Sequence, residues 1–343
     1  MKCLLGTLYV MSEDAYLSLD NENIVVSFPN ATSKKIPLLN VQNILCFSFK
    51  GASPALMGEC VKRNIGISFY SPFGRFLARA NGISIGNVLL RKEQYRIADQ
   101  DEGSCKIAKN FISGKIYNSH SLIRRIARDH EHSVNREALE HCASELMIQT
   151  RLARNCQDLE TLRGIEGHAA QLYFGIFGQL ILNSKTCFKF NGRNKRPPKD
   201  PVNALLSFLY VVLANDCANA LEGVGLDSYV GFLHRDRPGR KSLSLDLMEE
   251  LRSVFVDRCV LYLINNRMLS DNDFYFDENG AVMLNADAKK TILTEWEKRK
   301  KDTITHPFLG EKVAYGLIPH IQAMLLARYL RGDMEEYPAF LWK

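Results

Sequence analysis

The chain has no C-x-x-C pair. Its nine cysteines, at 3, 46, 60, 105, 142, 156, 187, 217 and 259, are scattered. This argues against zinc ribbons and against a secreted disulfide framework, and it fits reduced thiols that are mostly buried. A cleavable leader is also missing. MKCLLGTLYVM has one cation and a short apolar run, but Ser12, Glu13 and Asp14 follow at once without an A-x-A site, so the opening reads as a first β-strand. No apolar run is clean enough for a bilayer. Residues 202–221 have roughly the length of a span, yet they carry Asn203, Ser207, Asn215, Asp216 and Asn219, which suits a central core helix instead. No membrane association is expected, and the location expected is cytoplasmic. Internal repeats and low-complexity segments are absent as well.

Acidic residues are missing from one place in particular. Over 185–199 there are six cations (Lys185, Lys189, Arg193, Lys195, Arg196, Lys199) and no Asp or Glu. Gly192, Pro197 and Pro198 shape this loop rather than leaving it floppy, and so dense a positive charge points to a polyanionic partner such as nucleic acid. Elsewhere the composition is ordinary: 343 residues, 46% hydrophobic, 24% charged and a net charge of +6 allow two modest domains with real cores.

The expected fold class is α+β: a β-rich domain over residues 1–86, then a larger all-α domain over 87–343. AYLSLD and NIVVSF flank the turn DNEN as a hairpin, and NILCFSF follows. SPALMGECVKRN predicts a short helix with Ser53 as its N-cap. IGISFYS and RFLARAN bracket the turn PFG. Two stacked sheets, or a sheet with one helix, both fit this pattern. Beyond it, helical periods dominate. Residues 94–129 suggest two helices with a polar break, and 136–156 another. FYFDENGAVMLN predicts two short strands, Asn285 a cap, and 311–331 a final helix.

Three blocks carry chemistry. GFLHRDRPGRKSLSLDLMEELR (231–252) places His234 after a glycine-containing turn, then Arg235, Arg237, Arg240 and Lys241, then a helix with Asp246, Glu249 and Glu250. Imidazole and carboxylates together make a hard metal site, and the flanking cations suit a phosphate backbone. GIEGHAAQLYF (164–174) puts Glu166 at an expected helix start among small residues, where a plain helix-start carboxylate is the alternative. KFNGRNKRPPKDPVNALLSFLY (189–210) runs from the basic loop into the apolar helix. Periodicity does not separate Glu249 from Glu250. Leu247, Leu251, Val254 and Phe255 define an apolar face that Glu250 borders more closely, and a solvated or salt-bridged Glu250 is the bland expectation. His168 reads as structural. His130, His132 and His141 with Asp129 sketch a weak second cluster, better explained as an exposed helix end.

In this order the three blocks resemble the integrase-nuclease family of CRISPR spacer acquisition. The resemblance extends to GTLYVMSEDAYLSLD, SPFGRFLARANG and NVLLRKEQYRIAD, covers essentially the whole chain, and is most like the type I-C branch. It implies a small β-domain that largely forms a homodimer interface and a helical catalytic domain. It implies Glu166, His234 and Glu249 as ligands of Mg²⁺ or Mn²⁺, with glutamate at 249 where many members have aspartate. Asp246, at i, i+3 from Glu249, matches a second acidic position, with a supporting role through a bridging water or a second metal. Arg193, Lys195, Arg196, Lys199, Arg237 and Arg240 are the candidate DNA-binding residues. Part of the helical region with Lys106, Lys109, Lys115, Arg124, Arg125 and Arg128 is expected to face DNA. The implied activity is metal-dependent cleavage and joining of DNA, inserting short duplexes into a CRISPR array. Double-stranded DNA, a small subunit bridging two dimers and a trimming nuclease are the implied partners. Two other readings stay open: a non-catalytic nucleic-acid-binding scaffold, and a small-molecule phosphohydrolase.

Overall fold

A computed structural model of the chain describes residues 7–29, 31–41, 43–63, 65–70, 76–80, 88–183, 186–194 and 197–342. Strands and one helix come first: β1 (Thr7–Val10), β2 (Tyr16–Asp20), β3 (Asn23–Phe28), β4 (Ala31–Pro37), β5 (Asn43–Cys46), α1 (Pro54–Lys62), β6 (Gly66–Tyr70) and β7 (Phe76–Ala80). They form a four-stranded sheet in the order β1-β5-β6-β7 and a three-stranded sheet in the order β2-β3-β4. The β1–β5 and β5–β6 pairs are parallel, whereas β6–β7 and the whole smaller sheet are antiparallel. Leu17, Ile24, Ile44, Leu56 and Ile67, all fully buried, share one core. Both expected arrangements are therefore present together: two sheets and a helix. Ser53 caps α1, accepting from the Leu56 N–H at 3.2 Å. The DNEN turn is tight, with Asn21 at a φ of +52°, a conformation asparagine tolerates. The PFG turn lies outside the described residues. Strand β4 was not expected, because ATSKKIP lacks apolar alternation: residues 32–35 are exposed.

Helices then follow: α2 (Val88–Ala98), α3 (Asp101–Asp129), α4 (Arg136–Asn155), α5 (Leu159–Phe177), α6 (Pro201–Gly223), α7 (Ser242–Glu249) and α8 (Arg258–Asn265), with a π-helical turn at Ser253–Asp257. The hairpin β8 (Phe274–Phe276) and β9 (Val282–Leu284) forms as expected, and Asn285 caps α9 (Ala286–Lys301), accepting from the Ala288 N–H at 2.8 Å. The final helix is shorter than expected. A second small hairpin, β10 (Thr303–Thr305) with β11 (Lys312–Ala314), precedes α10 (Ile318–Leu330). Helix α6 is long and apolar enough to cross a membrane, but 67% of its apolar stretch is buried in protein. The eight described cysteines are free, and all but Cys187 are buried.

The chain forms two compact units. One comprises residues 1–85, 284–302 and 314–317; the other comprises 86–283, 303–313 and 318–343. Helix α9, expected within the all-α domain, groups with the β-rich unit instead. There the Tyr9 hydroxyl donates to Glu297 Oε1 at 2.9 Å, and Trp296 is buried. Such a return of the chain is a long-range contact that local pattern does not encode.

Candidate metal centre

Helices α3, α5 and α7, together with the loop before α7, assemble one polar cluster inside the helical unit. Helix α5 is started by Asp158, whose carboxylate accepts from the Thr161 N–H at 2.6 Å. Glu166 therefore lies about two turns inside the helix, not at its start, and the macrodipole explanation for it falls away. From α3, the Lys115 ammonium donates to Glu166 Oε1 and also lies 2.8 Å from Glu249 Oε2. Arg252, just past α7, approaches the same Glu249 oxygen at 3.1 Å. Lys115 is thus not an exposed surface cation. Its side chain is only 11% exposed because two carboxylates draw it inward.

Burial by itself would raise the Glu249 carboxyl, but Arg252, Lys115 and His234 outweigh it and hold the group down at about 2. Burial works to lower Lys115, and Glu249 and Glu166 more than reverse this, so the ammonium is held above its ordinary range. Arg252 is likewise raised, its burial overcome by Glu249. Glu249, Lys115 and Arg252 thus hold one another in their charged forms.

His234 is held by the loop 231–234. Its Nδ1 is 2.6 Å from Asp246 Oδ1. The same carboxylate accepts the backbone N–H groups of Phe232 (2.6 Å), Leu233 (2.9 Å) and His234 (3.0 Å). Asp246 is fully buried. A Cβ at Gly231 would stand 2.8 Å from both Asp246 Oδ2 and Ser242 Cβ, so only glycine lets the loop wrap this carboxylate. Both Asp246 oxygens are spent on four N–H donors. Asp246 orients the imidazole through Nδ1, a carboxylate–histidine arrangement found beneath metal ligands. The expected bridging-water or second-metal role does not fit oxygens so fully taken up.

Glu250 points the opposite way from Glu249. It is fully buried and accepts from the Tyr337 hydroxyl, from Gln322 Nε2 at 3.0 Å and from the Phe340 N–H at 2.7 Å. Burial pushes its carboxyl up to about 7, against the pull of these donors. Neither solvated nor salt-bridged, it anchors the segment 337–342. Asn118 adds to that anchor, donating to Glu250 O at 2.6 Å and to Phe340 O at 2.8 Å.

Glu166 and Glu249 converge on one cation, with His234 close enough to lower Glu249. That donor set suits a hard-to-borderline divalent ion. Among the described residues no group of three or more His, Cys, Asp or Glu side chains already stands in a ligating arrangement. The Lys115 ammonium lies between the two carboxylates. The chemistry of the donor set fits such an ion. Pattern reasoning had Lys115 only among the helical cations expected to face DNA, and passed over Arg252. Arg252 lies 4.5 Å over the Tyr210 ring, and Tyr210 and Tyr173 donate to the buried Asp257 at 2.6 and 2.8 Å. The glycines around Glu166 do not mark the close packing expected of them: Gly164 and Gly167 are exposed, and a Cβ at either would meet nothing within 4 Å.

The candidate DNA-contacting residues separate into three groups. Lys199 and Arg237 are exposed and Arg240 is partly so. Arg193 turns inward instead of toward solvent: it donates to Asn194 O at 2.5 Å, Asn203 Oδ1 at 2.6 Å and Ser207 Oγ at 3.1 Å. Its guanidinium also lies 5.5 Å from the Tyr210 ring, and burial lowers its pKa. It braces the loop against α6, because Asn203 and Ser207 on that helix capture it together with the loop carbonyl of Asn194. Lys195 and Arg196 lie outside the described residues. Next to His234, Arg235 and Arg163 share Glu160 at 2.5 and 2.6 Å. His130, His132 and His141 are exposed, in line with the bland reading of the second cluster; His168, expected to be structural, is exposed as well.

An α+β protein whose helical unit gathers carboxylates, imidazole and cations is the class these observations define. The profile of the family described as CRISPR associated protein Cas1 matches residues 8–298. CRISPR-associated endonuclease Cas1 1 of Chlorobaculum tepidum is 44% identical over 343 residues, covering 100% of both chains. This chain belongs to the Cas1 family. Among solved structures, a casposase bound to integration product aligns with a TM-score of 0.84 at 21% identity, covering 98% of this chain and 94% of the other. A Cas6-RT-Cas1–Cas2 complex aligns with a TM-score of 0.80 at 21% identity, covering 99% of this chain and 36% of that one. At such identities these two structures establish the fold alone.

Proposed function

We propose that the chain is a divalent-metal-dependent DNA endonuclease and integrase that inserts short duplexes into a CRISPR array, with Glu166, His234 and Glu249 holding Mg²⁺ or Mn²⁺. The observation that carries this is the convergence of Glu166 and Glu249 on a single buried cation, beside an imidazole oriented by Asp246. A bound divalent ion supplies charge that activates an attacking oxygen and offsets charge building on phosphorus. The chain's own groups do the rest. Asp246 keeps the proton on Nδ1 and so leaves Nε2 as a lone-pair donor. Arg252 and Lys115 keep Glu249 ionised. The attacking group is a 3′-hydroxyl in joining and water in cleavage; neither needs a covalent enzyme intermediate. Lys199, Arg237 and Arg240 are the solvent-facing cations suited to DNA phosphates. The endonuclease name of the 44%-identical relative and the integration product bound by the casposase support the reading.

Homodimerisation through the β-rich unit, a Cas2-like subunit bridging two dimers, a type I-C setting with a trimming nuclease, and action in the cytoplasm all belong to this proposal. The test is Mn²⁺-dependent cleavage of branched DNA. Glu166→Ala and His234→Ala are expected to lose cleavage by at least about 100-fold while retaining duplex binding. Full activity in either variant refutes the assignment.

A further inference from the structure

We infer that Lys115 is an exchangeable counter-ion for the metal: its ammonium holds the two carboxylates until a divalent cation displaces it, and the displaced charge then favours an incoming DNA phosphate. This rests on the metal assignment of Glu166 and Glu249 above.

The argument starts from burial. Glu249 is 5% exposed and Lys115 11% exposed, and both carboxylates meet the same ammonium. Two carboxylates brought this close without a cation would repel each other and lose their hydration. Lys115 resolves that conflict from α3, a helix separate from those of both carboxylates. A lysine is a compact point charge on a flexible stem, so it can let go by rotating its own side chain while the backbone stays in place. Divalent metal and ammonium compete for the same oxygens, so the metal binds with its intrinsic affinity reduced by that competition.

Charge sets the second half of the inference. Lys115 and Arg252 provide two positive charges against the two of Glu166 and Glu249. A divalent cation added to that balanced group leaves it strongly positive in a partly buried space. A released ammonium has then lost its acceptors. An anionic phosphodiester restores both the balance and the hydrogen bonds, so metal and DNA bind cooperatively, with Lys115 as the coupling group. Lys115 is therefore a positioning residue before substrate arrives and a phosphate contact afterwards.

The experiment is calorimetric titration of Mn²⁺ into the full chain, with and without a short duplex whose 3′ ends lack the hydroxyl. Lys115→Met removes the competitor and is expected to bind Mn²⁺ at least about tenfold more tightly than the unaltered chain, with much less gain from the duplex. Lys115→Arg keeps the charge but grips both carboxylates through a rigid fork, and is expected to bind Mn²⁺ about fivefold or more weakly. Equal Mn²⁺ affinity in the unaltered chain and Lys115→Met overturns the inference. Should Lys115→Met fail to fold, unchanged affinity in Lys115→Arg overturns it equally. Glu166→Ala and Glu249→Gln run in the same titration. If they bind Mn²⁺ normally, the metal assignment itself fails; if they lose binding while the lysine variants match the unaltered chain, only the exchange is wrong.

Discussion

Asp246→Asn changes one atom and separates orientation from ligation. The carboxylate now accepts four N–H groups, two on each oxygen: Phe232 and Leu233 on Oδ2, His234 and its ring Nδ1 on Oδ1. An asparagine must turn its NH₂ to one side. Facing the loop, it opposes two backbone N–H groups. Facing the ring, it opposes one backbone N–H, while the imidazole can shift its proton from Nδ1 to Nε2 and accept the new donor. The second choice is cheaper, with one buried bond lost at about 1–3 kcal/mol. It also puts a proton on the nitrogen that would ligate. The expected outcome is a modest loss of stability with a 10–100-fold loss of Mn²⁺ affinity, roughly the effect of removing an outer-shell partner. Thermal denaturation and Mn²⁺ titration on the same preparation measure both. A folded Asp246→Asn protein that binds Mn²⁺ as tightly as the unaltered chain refutes the reasoning.

Glu250 gives a pH signature. Its carboxyl is held at about 7 in the folded chain, up from 4.5, mainly by burial. The folded state binds this proton more tightly, so the contribution is fully present below about pH 4.5 and is lost as pH rises through about 7. The span is on the order of 3 kcal/mol. Glu250→Gln should flatten the decline in stability across that window in urea titrations; an unchanged slope contradicts the assignment. Arg193→Ala should lower thermal stability by about 1–3 kcal/mol yet leave the salt dependence of duplex binding unaltered. Arg237→Ala should instead reduce that salt slope by about 1. The reverse pattern would restore Arg193 to the DNA-contacting set.

What could be read from the chain beforehand was mostly local. Ser53 and Asn285 announce their helices because a cap needs only a side-chain oxygen and the next turn. The β8–β9 hairpin is written in its DENG turn. Strand β4 escaped because it is exposed and carries no alternation. The site was legible as three separated blocks, and the family resemblance chose Glu249 over Glu250 where periodicity could not. Physically, that choice is made from far away. Glu250 is claimed by Gln322, Tyr337 and Phe340, and Glu249 by Lys115 and Arg252. Arg193 misled for a related reason: a cation in a basic loop looks available until Asn203 and Ser207 on the following helix are seen to hold it.

The anchoring of segment 337–342 bears on how the protein is made. The residue next to Glu249 finds its hydrogen-bond donors only at 322, 337 and 340, and Trp342 donates its backbone N–H to Asn118 on α3 at 2.7 Å. A ribosome that has released everything through α9 has already delivered Glu166, His234 and Glu249, but not the residues that clasp Glu250 and Asn118. The nascent polypeptide carries the proposed metal ligands before it carries the residues that hold Glu250, their neighbour in sequence.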